Sequence, residues 1–280
     1  MQGHLRKMAI RLAESTTDTS EPVQYALCLD DQEWPLNPYL GQFIQLHFNG
    51  RIACVACGRT TKKSYAQGHC FPCMQKLASC DLCIMKPEIC HHHLGTCRQP
   101  DWGQLHCMVP HYVYLANTSA VKVGITRHTQ LPTRWLDQGA TTAMPLLKVA
   151  TRRLSGLVEV AIAEHVADKT NWRAMLKGNG ASVDLVQQGQ ELLNKITPTL
   201  NQLREKFGPE SIEILTPDPI QLQYPVQAWP TKISSHNFDK KPTVQGVLQG
   251  IKGQYLILDT GVINLRKFSG YNIEFQSQEP

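Results

Sequence analysis

Apolar and polar positions change period several times along this chain. Residues 23–29 are mostly apolar, and residues 43–48 alternate around Ile44, Leu46 and Phe48. A period of two puts one set of side chains on one face of an extended strand, so residues 1–50 are predicted to be a β segment. Two further apolar runs, 112–115 and 121–125, flank a polar turn at Asn117, Thr118 and Ser119, which predicts a hairpin. Helical spacing follows around Arg134 and Trp135 and again over residues 155–167. Asp168 or Thr170 is placed to cap another helix through Trp172, Met175 and Leu176. Over residues 182–207, Val186, Leu192, Leu193, Ile196, Leu200 and Leu203 make one apolar face, with Pro198 expected to break or kink the helix. Strand patterns return at 244–248, 254–258 and 262–265, punctuated by Gly250, Gly253 and Gly261.

The expected class is therefore α+β. Five segments are expected: an N-terminal β segment (1–50), a cysteine-rich module (51–107), an α/β unit (108–180), a helical segment (181–218) and a C-terminal β segment (219–280). The terminal strands are expected to close into a small barrel.

Composition narrows the class. The 280 residues are 42% hydrophobic, enough for a real core and against a disordered chain. Residues 1–7 lack the apolar stretch of a secretory signal, and no apolar run has the length of a membrane span, so a cytoplasmic protein without a membrane partner is expected. A formal net charge of +5 permits an acidic partner.

Eight of the ten cysteines fall between Cys54 and Cys97, where large aliphatics are scarce. Such a stretch needs a substitute for a core, and bound metal provides one. Cys54 and Cys57 form one C-x-x-C pair, with Gly58 suited to the left-handed turn that closes it, and Cys70 and Cys73 form another. Two such turns supply the four thiolates of a closed, structural zinc site. Each pair alone could also be a redox dithiol, but clustered pairs in a core-poor segment favour zinc. Cys80, Cys83, Cys90 and Cys97 are spaced for a second zinc, with a histidine among His91, His92 and His93 able to take the place of Cys90. Cys28 and Cys107 receive no role, because a lone cysteine is usually a small buried hydrophobe.

The runs His111-Tyr112-Val113-Tyr114-Leu115 and Lys122-Val123-Gly124-Ile125-Thr126, then Arg134-Trp135, then Glu159, resemble the GIY-YIG nuclease superfamily over residues 111–175. In that family two strand motifs precede a helix with an arginine and a later helix with a metal-binding glutamate. The resemblance implies phosphodiester hydrolysis with one divalent cation, Mg²⁺ or Mn²⁺, on Glu159. Tyr114 matches the tyrosine of the first motif, Tyr112 is a substitute two residues earlier, and Gly124 matches the glycine of the second. Lys122 stands at that motif's tyrosine position, a departure that several branches share. Arg134 fits the catalytic arginine. Of two acids, Glu159 lies at the edge of the helix face made by Val158, Ile162 and Val166, whereas Glu164 points away. The whole chain also resembles a bacterial family known as domain of unknown function 2797, through residues 122–127, 134–140 and the cysteine array.

Around these positions Lys122, Arg127, Arg134, Lys148, Arg152, Arg153, Lys169, Arg173 and Lys177 outnumber Asp137, Glu159, Glu164 and Asp168, an excess that suits a phosphate backbone. The expected function is a zinc-binding, nucleic-acid-interacting protein with a phosphodiester-cleaving site. Two alternatives stand beside it: a binding protein without catalysis, and a thiol-based redox or metal sensor.

Overall fold

A computed structural model describes residues 1–12, 22–166 and 171–277. In chain order, β1 (Gln2–His4), β2 (Ala9–Arg11), β3 (Gln24–Leu29), β4 (Gln32–Pro35) and β5 (Phe43–Ile52) precede the cysteine-rich region. That region holds two short helices, α1 (Phe71–Lys76) and α2 (Pro100–His106), with four 3-10 turns between them. Next come β6 (His111–Asn117), β7 (Val121–Arg127), α3 (Thr133–Asp137), β8 (Thr142–Val149), α4 (Arg152–Ala163), α5 (Trp172–Met175) and α6 (Leu185–Phe207). The chain ends in β9 (Ile212–Ile214), β10 (Ile220–Gln221), β11 (Thr243–Lys252), β12 (Tyr255–Leu258), β13 (Gly261–Asn264) and β14 (Tyr271–Ser277).

The strands expected at the two ends do join, but not as a barrel. They form an open six-stranded sheet ordered β1-β14-β5-β11-β12-β13. Each edge is engaged elsewhere. Past β1, Leu5 bridges Leu29 of the small β2-β3-β4 sheet, and the outer edge of β13 meets Ser234 and His236 through the backbone of Val262. An edge already hydrogen-bonded to other chain segments cannot close on its opposite number.

A second sheet, ordered β10-β8-β6-β7 with β9 also on β8, puts β6 at its centre. On one face Val113, Leu115, Val123 and Leu147 pack with Leu154, Val158 and Ile162 of α4 and with Leu192, Ile196 and Leu200 of α6. On the other, Tyr114 and Ala116 join Trp135, Leu136 and the six-stranded sheet in one large core. β8 had no counterpart in the sequence prediction because Pro145 interrupts it. The proline falls where the β6-β8 register shifts, a bulge that tolerates a residue without an N–H.

Three helix expectations change. α4 begins at Arg152, earlier than expected, because Thr151 caps it by accepting from the Leu154 N–H at 3.3 Å. The cap of α5 is Asn171, while Asp168 and Thr170 lie outside the described residues. α6 runs unbroken through Pro198. That proline is exposed, and the Asn194 carbonyl whose bond it removes is also on the exposed side, where water can satisfy it. Burial of Leu192, Ile196, Leu200 and Leu203 holds both halves in line. Val186 is exposed and Leu185 takes its place in the core. Among the described residues no helix is long and apolar enough to cross a membrane.

Candidate functional site

The first site is a cluster of four thiols. Cys54 follows β5, where its N–H donates to Arg59 O and its carbonyl accepts from Gly58 N–H, both at 2.9 Å, which closes a tight turn. Gly58 has φ of +71°, the left-handed region that favours glycine. The second turn starts with Cys70 at the N-cap of α1, its carbonyl accepting from Met74. Val55 N–H donating to Gly68 O stitches the two turns together. As a result Cys54, Cys57, Cys70 and Cys73 each offer a sulfur within 4.8 Å of the others. Cys57 Sγ and Cys70 Sγ are 3.8 Å apart. A tetrahedron with Zn–S bonds of about 2.3 Å has an edge of about 3.8 Å.

The electrostatics fit a cation. Burial pushes the Cys54 thiol up, but the backbone N–H groups of Cys70, Ala56 and Cys57 outweigh it and bring it down to about 6. Cys73 is pushed up to about 12, first by its contact with Cys70 and then by Cys57. Sulfurs this close resist joint ionisation until a positive ion sits among them. The four thiols could hold one zinc ion, and the donor set fits zinc chemistry.

Of the other predicted ligands, Cys83, Cys90 and Cys97 line one small cavity, and Cys80 separates from them. Cys83 and Cys90 pack together, and their companion is Cys107. Cys80 lies on the wall of the neighbouring cleft, with its sulfur 4.0 Å from Ser79 Oγ. Cys97 donates to Gln99 O at 3.5 Å. Among the described residues, the mutually close donor groups are the four thiols above and a trio of Asp81, Cys83 and His91. The sequence signal that would have drawn in Cys107 is absent, since it stands ten residues past Cys97 and outside any paired spacing.

Beside the cysteine-rich module lies a cleft of about 560 Å³. Lys122, Gly124 and Arg127 of β7, Arg134 of α3 with its C-cap Gln138, and Glu159 and Arg152 of α4 line it. Ser79, Cys80, Asp81 and Pro87 form the facing wall, with Lys7 and Arg266 arriving from the two ends of the chain. Nothing local in the sequence foretold Lys7 or Arg266, because only the tertiary fold brings them in.

Lys122, Arg134 and Glu159 are therefore brought together, whereas the tyrosines are not at the surface of the cleft. Tyr114 is fully buried under Gly124, where a Cβ would stand 2.6 Å from its hydroxyl oxygen. Its hydroxyl donates to Gln138 Oε1 at 3.0 Å. Burial raises its pKa, only partly opposed by the Arg134 guanidinium, so the phenol stays protonated and acts as a donor. Tyr112 is half-buried and does not line the cleft. Glu159 is half-buried beside Val158, as the helical wheel indicated, and Glu164 is exposed.

Six basic side chains (Lys7, Lys122, Arg127, Arg134, Arg152, Arg266) line the cleft against three acids (Asp81, Asp137, Glu159). Asp81 is paired with Arg98, and Asp137 with Lys7. Burial and then the Arg152 charge lower the pKa of Arg127. Arg266 is lowered by burial, with Asp137 opposing and Arg134 adding to the shift. Guanidinium groups crowded in this way are relieved by an anion. His111, buried at the inner end, is driven down to about 4 mainly by burial. Its Nδ1 lies 2.7 Å from Val109 O, and its Nε2 has no hydrogen-bond partner among the described residues.

A thiol cluster beside a cationic cleft in a mixed α+β chain defines a protein with a zinc-compatible module and an anion-compatible groove. Residues 41–273 match the model of a family described as protein of unknown function (DUF2797), and the chain belongs to that family. No curated protein and no solved structure matches it.

Proposed function

We propose that this protein is a zinc-stabilised nucleic-acid-binding protein whose cleft holds a phosphodiester and cleaves it with the help of a divalent cation. The observation that carries the reading is the convergence of Lys122, Arg134 and Glu159 on one cleft with a two-to-one excess of basic over acidic side chains. Supporting it, two strands precede the helix with Arg134 and a later helix carries Glu159, as the GIY-YIG resemblance implies, with β8 added between the two helices.

The roles follow from charge. Arg134 and Lys122 face the phosphoryl oxygens, where negative charge grows as water adds to phosphorus and the ester oxygen departs. Tyr114, held protonated, fixes Gln138, whose amide then orients groups at the cleft surface. The carboxylate of Glu159 is an oxygen donor of the kind that Mg²⁺ or Mn²⁺ prefers. Such an ion supplies charge neutralisation and a more acidic water. Arg127 and Arg152 hold the neighbouring phosphate.

One observation favours a second reading, binding without cutting: the buried Tyr114 phenol is unavailable as a base. Purified protein incubated with single-stranded, duplex and branched DNA and RNA plus Mg²⁺ or Mn²⁺ separates the two. The cleaving reading expects cuts that vanish in Glu159→Ala with binding retained, and Arg134→Ala losing both cleavage and part of the affinity. Binding without cleavage across the whole panel moves the second reading to first place. Absence of both binding and cleavage removes the cleft from nucleic-acid chemistry.

A further inference from the structure

Between Ala78 and Cys107 the usual relation of residue type to burial is inverted. Met85 is 80% exposed, Leu105 69% and Leu94 65%, with Leu82 and Ile89 also exposed, while Cys83, Cys90 and Cys107 are all buried. Burying one leucine stabilises a fold by about 1.5–3 kcal/mol, so hydrophobic burial alone would have turned the aliphatics inward. The three thiols instead pack around one another, with Trp102 alongside. Together with Asp81, His91, His92 and Cys97 they line a cavity of about 10 Å³. That is about the volume that admits a single water-sized sphere, and so room for one ion rather than for an organic ligand.

We propose that Cys83, Cys90, Cys107 and His91 form a second zinc site. His91 is oriented for the part. Its Nδ1 lies 2.8 Å from Thr96 Oγ1, and the hydroxyl's own proton goes to His91 O at 3.3 Å. With that proton on His91 O, Nδ1 is the ring donor to Thr96, which leaves Nε2, 3.6 Å from Asp81 Oδ1, as the atom to ligate, and His91 is grouped closely with Cys83. Asp81 itself is taken up by the Arg98 guanidinium at 2.6 Å and by the Cys83 N–H at 3.1 Å. It acts as a support that steers Cys83 and His91 rather than as a ligand. Three thiolates and one imidazole are a closed structural donor set for zinc.

The site also braces α4. Arg152 donates to Ile84 O at 2.8 Å, and its own backbone N–H donates to Cys107 O at 2.8 Å. The ion would thus hold one wall of the cleft in place without entering it. This proposal is independent of the phosphodiester reading, and its test reads metal and not activity.

Zinc content of the full chain, purified in reducing, zinc-replete conditions, is compared across variants by elemental analysis. Cys107→Ser is expected to lose about one ion per chain relative to the parent, while Cys80→Ser and Cys28→Ser keep the parent's content, as tetrahedral sites with these ligands require. His91→Ala is expected to release one ion to a chelator faster than the parent does. Should Cys107→Ser fail to fold, native-state alkylation of the parent decides. Cys83, Cys90 and Cys107 are then expected to become reactive together on chelation, while buried Cys28 stays protected. Retention of the full zinc content in Cys107→Ser overturns the proposal, as does chelator-independent protection of the three thiols. Loss of zinc from Cys80→Ser but not from Cys107→Ser would restore the ligand set read from spacing.

Discussion

Gly124 and Lys252 show how much single positions depend on what lies above them. A methyl at Gly124 would strike the Tyr114 hydroxyl, so a residue without a side chain is what lets the buried tyrosine pass beneath the cleft floor. Lys252 is a buried charge of a different sort. Its Nζ donates to Gly178 O at 2.9 Å and sits 5.3 Å from the Tyr224 ring and 5.1 Å from the Trp229 ring. Burial lowers its pKa from 10.5 to about 8. Below that value both folded and unfolded chains carry the proton, and the cost of burying the charge is fully present. Between about 8 and 10.5 the unfolded chain binds more protons than the folded one, so stability rises with pH. Denaturant titrations of the parent and Lys252→Met across this range are expected to show the parent gaining at most about 3 kcal/mol relative to the variant. A flat difference would mean that the two rings and the carbonyl stabilise the charge as well as water does.

At the scale of elements, α4 is where the cysteine-rich module meets the α/β unit. Gly156 faces the turn at Pro87–Ile89 so closely that a Cβ would lie 2.3 Å from Glu88 N and 2.6 Å from Pro87 C. Both are backbone atoms, so the module itself must move. Gly156→Ala should raise helix propensity by about 1 kcal/mol. We expect it to destabilise the protein instead, by roughly 1–3 kcal/mol, with proteolysis of the 78–107 region accelerated. A stabilised variant would show that the module is not seated on this helix. Elements also mark where sequence reading worked. Alternation found β5, which shows one face to a core, while apolar runs around a polar turn found the β6–β7 hairpin, whose first strand is buried on both faces, and the apolar face of α6 survived even Pro198. It missed β8, whose proline hides a central strand, and β14, whose paired neighbours β1 and β5 lie at the other end of the chain.

For the whole molecule, two kinds of interior coexist. One is the large hydrophobic core that runs from the six-stranded sheet to Tyr114 and Trp135. The other is a segment with thiols where side-chain packing should be. Metal removal is expected to act on the second alone. After chelation, amide exchange over residues 53–77 should rise sharply while strands β5 and β11 keep their protection, since their pairing with each other, and with β14 and β12 respectively, does not pass through the cysteines. Global unfolding on chelation would instead make the thiol cluster part of the main folding unit.

The sequence by itself determined what depends on neighbours close along the chain: the periodic strands and helices, the two C-x-x-C turns with Gly58, and the wheel position of Glu159. It also carried the family membership. Tertiary structure alone decided that Cys107 joins Cys83 and Cys90 while Cys80 turns to the cleft, that the end strands make an open sheet, and that Lys7 and Arg266 meet Arg134 across one groove. The physical reason is distance along the chain. Spacing rules hold only within a turn or a helix, whereas the packing of Cys83 against Cys107 crosses several turns and the charged cleft joins Lys7 to Arg266 from opposite ends of the chain.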